Sequence, residues 1–168
     1  VLFRSLTLLP NRSGLYSFYS GLSIQEYVTA MFLDIDNFKR VNDTYGHQVG
    51  DELLKAVTKD LQEIVPDAYI ARIGGDEFVI LIIGQREKYE ILEVAEEICD
   101  SVERLAVSPE VRSVISLSVG VLLNEKAETT MMMYCSRVIR LCITRRRQVR
   151  TAIHSTSRSR KRWSLKQK

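Results

Sequence analysis

The sequence predicts an α+β domain, and three observations carry that prediction. Segments of helical periodicity alternate with short apolar runs rich in β-branched and aromatic residues, which read as strands. Two such runs, residues 68–71 and 78–83, flank Arg72-Ile73-Gly74-Gly75-Asp76-Glu77, so a tight hairpin is expected, with glycine supplying positive φ. A third run, residues 27–35, is apolar nearly throughout, which argues for a central strand covered on both faces.

At 168 residues the chain is long enough for one domain with a single sizeable core. Hydrophobic residues make up 45% and charged residues 27%, ordinary for a globular chain. No run of about 18 apolar residues is present, so no transmembrane helix is expected. The opening Val1-Leu2-Phe3-Arg4-Ser5 lacks the charged and apolar regions of a signal peptide. Cys99, Cys135 and Cys142 are odd in number and have no metal-ligand spacing, which predicts free, buried thiols in a reducing cytoplasm. The net charge of +3 conceals two unlike parts. Residues 137–168 carry 12 of the 24 Lys/Arg and none of the 21 Asp/Glu, which leaves residues 1–136 at −9.

Taken in order, Leu6-Thr7-Leu8-Leu9-Pro10-Asn11-Arg12 opens as a turn, and Asn11 or Ser13 is expected to cap a helix running through Leu15, Phe18 and Tyr19. The strand over residues 27–35 ends in alternating acids. Asp34 and Asp36 share a face of the extended chain. Asp34 lies at the apolar end, where an unpaired charge is costly, and is the stronger candidate metal ligand. Asp36, just before a helical turn over residues 37–41, is the stronger candidate N-cap. Val49, Leu53, Leu54, Val57, Leu61 and Ile64 recur at helical spacing until Pro66 stops the helix. Residues 87–106 predict a second amphipathic helix with Glu93, Glu96, Glu97 and Asp100 on its solvated face. Pro109-Glu110-Val111-Arg112 reads as a loop and residues 114–123 as a further strand. Met131, Cys135, Val138, Ile139 and Cys142 suggest a last helix, beyond which a Ser/Arg/Lys mixture is too poor in apolar residues to pack. The boundaries expected are a folded domain over residues 6–143 and a basic, disordered tail over 144–168.

Acids crowded at a turn repel one another, so a positive partner is expected, and a metal ion is the obvious one. Divalent ions held by carboxylates are the usual such partner, and Asp34 and Asp76, at the ends of neighbouring strands, could converge on them.

The segments Gly74-Gly75-Asp76-Glu77-Phe78, Phe32-Leu33-Asp34-Ile35-Asp36-Asn37-Phe38-Lys39 and Asn42-Asp43-Thr44-Tyr45-Gly46-His47-Gln48-Val49-Gly50-Asp51 together resemble the GGDEF family of diguanylate cyclases. Ser116-Leu117-Ser118-Val119-Gly120 is similar to that family's Ser-x-Gly strand, and Leu8 stands where the family commonly has Gly. The resemblance covers about 70% of the chain, from Leu6 to Leu123. It implies a mostly antiparallel sheet with flanking helices, like the palm of nucleotidyl cyclases and polymerases. It also implies that two domains, each holding one GTP, face each other as a homodimer and form cyclic di-GMP.

By the same resemblance, Asp34, Asp76 and the backbone carbonyl of Ile35 hold Mg²⁺ or Mn²⁺, two ions per site. Asp76 accepts the proton of the attacking 3′-hydroxyl and Glu77 supports it. Asn42 and Asp51 bind guanine, whose donors and acceptors suit an amide and a carboxylate. Lys39, the backbone near Phe38 and Arg72 hold phosphates, and His47 lies near the nucleotide. The family's feedback site, Arg-x-x-Asp, falls on Val65 and Ala68 and is absent, so no product inhibition through it is expected. The family's C-terminal polar residues fall on Cys135, Ser136, Arg140 and Ile143 without a match.

Two other readings stand beside the cyclase. One is a degenerate GTP-binding regulatory domain, favoured by the altered final helix. The other is a module binding nucleic acid or acidic lipid through the tail, against which stand its single aromatic, Trp163, and its lack of a foldable pattern. The resemblance further implies an upstream sensor region and a cytoplasmic location, free or as part of a membrane-attached sensor.

Overall fold

The computed structural model describes residues 6–127, and the expected last helix and basic tail lie outside them. Helix α1 (Arg12–Ser20) leads into β1 (Tyr27–Asp36), then α2 (Phe38–Tyr45), α3 (His47–Ile64), β2 (Tyr69–Arg72) and β3 (Glu77–Ile83). Helix α4 (Lys88–Asp100) continues into a 3₁₀ turn (Ser101–Arg104), followed by α5 (Pro109–Val114) and β4 (Ser116–Lys126). The strands form one antiparallel sheet in the order β2-β3-β1-β4, so the α+β expectation holds.

β1 is central because both of its faces are apolar. Met31, Leu33 and Ile35 face α3 and α4, packing with Leu53, Val57, Leu61, Ala95 and Ile98. Val28 and Ala30 face the other way and pack with Leu15 and Tyr19 of α1. At about 1.5–3 kcal/mol per buried aliphatic side chain, these two faces fix the strand's register. Phe18 of α1 also stacks on Tyr69 of β2, with ring centroids 3.8 Å apart.

Capping explains where several helices begin. Asn11 is the cap of α1, its Oδ1 accepting from Ser13 N–H at 2.9 Å and Gly14 N–H at 3.1 Å. Glu87 and Glu90 form a reciprocal capping box at α4. The expected long helix over residues 87–106 is shorter, ending as a 3₁₀ turn from Ser101. Residues 109–112, expected as a loop, are helical instead. Ser108 caps Val111 N–H and Pro109 occupies the first turn, a start signal the neighbouring charged residues obscured.

Leu8 points outward, as expected for a Leu at a Gly position. It is 77% exposed and adopts φ 56°, a left-handed conformation that L-residues resist. Leu8→Gly is therefore expected to stabilise the domain by about 0.5–1 kcal/mol, less than the full strain because glycine gains freedom in the unfolded chain. The check is a higher urea midpoint at unchanged slope.

Candidate active site

β1 and β3 are hydrogen-bonded neighbours, with Asp34 directly opposite Glu77. The hairpin between β2 and β3 closes through Ile73 N–H donating to Glu77 C=O at 2.9 Å. Ile35 N–H donates to Asp76 C=O at 3.3 Å, which ties the acidic turn to the end of β1. The structure thus brings Asp34, Asp76 and Glu77 to one end of the sheet. No salt bridge resolved among the described residues neutralises them.

Asp34 registers that crowding. Its pKa is raised to about 6, first by burial and then by the negative charges of Asp76, Asp36 and Glu77. Among the described residues, no three His, Cys, Asp or Glu side chains are grouped closely enough to hold a metal by themselves. Mg²⁺ is commonly held by one or two carboxylates completed by water and substrate phosphate rather than by an all-protein cage. The mutually repelling acids leave at this end of the sheet a negative charge that such an ion would offset.

The glycines act differently from the expectation. Neither Gly74 nor Gly75 lies in the left-handed region; the positive-φ glycines described are Gly46 and Gly84. A Cβ at Gly74 would meet the Glu77 carboxylate, so glycine leaves that side chain its present place. Gly50 does the same for Asn42, whose Oδ1 occupies the place a Cβ at residue 50 would take. Asn42 on α2 is thereby held against the start of α3, where Asp51 is exposed. Gly46, at φ 89°, separates the two helices.

Asp36 does not cap α2, which corrects the sequence-based assignment. The position next to the helix is Asn37, at φ 64° and without a side-chain cap bond. Asp36 is still in the strand, and its Oδ2 accepts from the hydroxyls of Ser116 and Ser118. This partnership crosses 80 residues of sequence and left no local signal.

Arg72 is buried, and its Nε and Nη2 donate to Gly75 C=O at 3.0 and 2.7 Å. The guanidinium braces the hairpin from within. Lys39 and His47 are exposed on α2 and α3, and Phe38, half-buried, begins α2. Val65 and Ala68 lie at the turn from α3 to β2, where Ala68 N–H donates to Val65 C=O. Cys99 is buried, as expected, and its thiol donates to Leu117 C=O at 3.5 Å; Cys135 and Cys142 lie outside the described residues. No helix among the described residues is long and apolar enough to cross a membrane.

The sheet therefore gathers strand-end carboxylates beside the start of a helix, and comparison with known proteins gives this arrangement a family. The model for "Diguanylate cyclase, GGDEF domain" matches residues 3–140, and the chain belongs to that family. Probable diguanylate cyclase DgcT of Escherichia coli K12 is 40% identical over 132 residues, 72% of this chain and 28% of that protein. Probable diguanylate cyclase DgcF of the same strain is 42% identical over 83 residues, 48% of this chain and 26% of that protein. Among solved structures, diguanylate cyclase SiaD of Pseudomonas aeruginosa, in complex with its activator SiaC, superposes with a TM-score of 0.68. It is 33% identical, over 82% of this chain and 55% of that one. The GGDEF domain of DgcB from Caulobacter crescentus, in complex with c-di-GMP, shares the fold at TM-score 0.69 and 24% identity, over 83% of this chain and 86% of that one. The chain spans under a third of the length of these curated relatives.

The raised pKa of Asp34 has a consequence for stability. The folded protein holds this proton up to about pH 6, whereas the unfolded chain releases it near 3.8. Protonation therefore favours the fold, and that contribution is lost as pH rises from about 4 through 6. Asp34→Asn is expected to melt higher than the parent at pH 7–8 in EDTA and to match it at pH 4. Thermal melts across that range are the check.

Proposed function

We propose that this domain condenses two molecules of GTP into cyclic di-GMP with release of two pyrophosphates, across a pair of domains that each hold one GTP. The observation that carries the reading is the convergence of Asp34, Asp76 and Glu77 at the ends of adjacent strands, beside the start of α2. A bound divalent cation supplies charge neutralisation for the triphosphate.

The chain's own residues supply the rest. Asn42, seated against Gly50, and Asp51 near the start of α3 offer an amide and a carboxylate to guanine's edge. Backbone N–H groups at the start of α2, near Phe38, take phosphate oxygens, with Lys39 as the nearby cation and His47 beside the nucleotide. Asp76 accepts the proton of the 3′-hydroxyl of its own domain's GTP, and Glu77 supports it. That oxygen bonds to the α-phosphorus of the facing GTP as the bond to the β-phosphate oxygen breaks; the second half-reaction repeats this in the opposite sense. Arg72, a phosphate contact by the family resemblance, also holds the hairpin that carries Asp76, through its bonds to Gly75. Without the Arg-x-x-Asp pair at residues 65 and 68, product does not inhibit through that site.

The second reading is a GTP receptor with little turnover, favoured by Ile143 in place of the family's C-terminal Lys. GTP turnover with Mg²⁺, at several protein concentrations and with products identified by mass, separates the two. The cyclase predicts cyclic di-GMP whose rate rises faster than linearly with protein, and a loss of at least about 100-fold in Asp76→Asn. GTP binding without product at any concentration would establish the receptor, and absence of GTP binding would dismiss both.

A further inference from the structure

The two acids at the end of β1 occupy unlike surroundings, although they share a face of the strand. The order β3-β1-β4 places β3 on one side of β1 and β4 on the other. Asp34 faces the acids of the hairpin: Glu77 is its β3 partner, and the charge of Asp76 acts on it. Asp36 is drawn to the opposite side. Its Oδ2 accepts from Ser116 Oγ at 2.6 Å and from Ser118 Oγ at 2.8 Å, both on β4.

In the β1–β4 ladder Ser116 is the direct partner of Asp36, and Ser118 is the direct partner of Asp34. Ser118 therefore reaches diagonally to the neighbouring acid rather than across to its own partner. It is 2% exposed, so its hydroxyl needs a protein acceptor, and Asp36 supplies one. The next residue along is tied to the same side of the sheet, with Asn37 Nδ2 donating to Val114 C=O at 2.9 Å. Three side-chain bonds thus secure the point where β1 turns into α2.

We propose that Asp36, Ser116 and Ser118 form a positioning clamp that withholds one strand-end carboxylate from the cation and fixes the other, Asp34, to receive it. Two short bonds to a single carboxylate oxygen restrict both torsions of Asp36, and charge-assisted hydrogen bonds are roughly twice as strong as neutral ones. Without those bonds the Asp36 carboxylate, whose charge already acts on Asp34, would be free to turn toward the cation. The backbone at Asn37, at φ 64°, would also lose its lateral support just where the phosphate-binding N–H groups begin. The clamp rests on the functional reading above, since it matters only if Asp34 holds a cation.

The test measures Mn²⁺ affinity by electron paramagnetic resonance of the free ion, with α,β-methylene-GTP present so that no turnover occurs. Ser116→Ala/Ser118→Ala is expected to bind Mn²⁺ about 10–100-fold more weakly than the parent, as is usual for loss of groups that orient a metal ligand. Ser116→Thr, which keeps the hydroxyl at a half-buried strand position, is expected to stay within about threefold of the parent. Melting temperatures identify variants that remain folded. Should the double variant fail to fold, Ser116→Ala decides, with an expected weakening of about threefold or more. Parent-like or tighter affinity in a folded Ala variant would overturn the clamp, as would a Thr variant no better than Ala. Absence of Mn²⁺ binding in the parent, or its persistence in Asp34→Asn, would instead overturn the reading of the cation site, and the clamp with it.

Discussion

Like charges standing directly opposite one another in a sheet are destabilising, by roughly 0.2–1 kcal/mol a pair, and this domain keeps such a pair in Asp34 and Glu77. The repulsion persists because β1 cannot slip. Met31, Leu33 and Ile35 pack under α3 and α4, and Val28 and Ala30 under α1. A one-residue shift would exchange those faces and cost several buried side chains. The core thus holds together carboxylates that electrostatics alone would separate. The rest of the site depends on that constraint: apolar packing maintains an unfavourable charge density that a cation would relieve.

Small residues complete the arrangement by leaving room. At Gly74 and Gly50 the missing Cβ is where the Glu77 carboxylate and the Asn42 amide lie. The hairpin is held by backbone pairing and by a buried guanidinium donating twice to one carbonyl, a geometry that Lys does not reproduce. Polar groups that come to rest against neighbouring backbone and side chains are the means by which a loop can be placed as firmly as a strand.

What the sequence disclosed, and what it concealed, follows from the range of the interactions. The central strand, the hairpin and α3 were legible because hydrophobic periodicity and flanking turn residues are local signals. Asn11 could be named as a candidate cap for the same reason. Asp36 could not be read correctly, because its partners lie on β4, 80 and 82 positions away, and an acid before a helical turn looks like a cap. Helix α5 is six residues long, too short for a periodic signature, and only the pairing of Ser108 with Pro109 marks it. The glycine pair was assigned to the right turn for the wrong reason. At Gly74 the missing Cβ matters because of where the Glu77 side chain lies in three dimensions, which no local rule conveys.

The Ile35 amide bound to the Asp76 carbonyl joins the acidic turn to the innermost strand. The turn is thus fastened to the sheet rather than hung from it as a lid. Any ligand that favours the assembled turn over the unfolded chain stabilises the folded domain by mass action. Occupancy of the site and persistence of the fold then rise together.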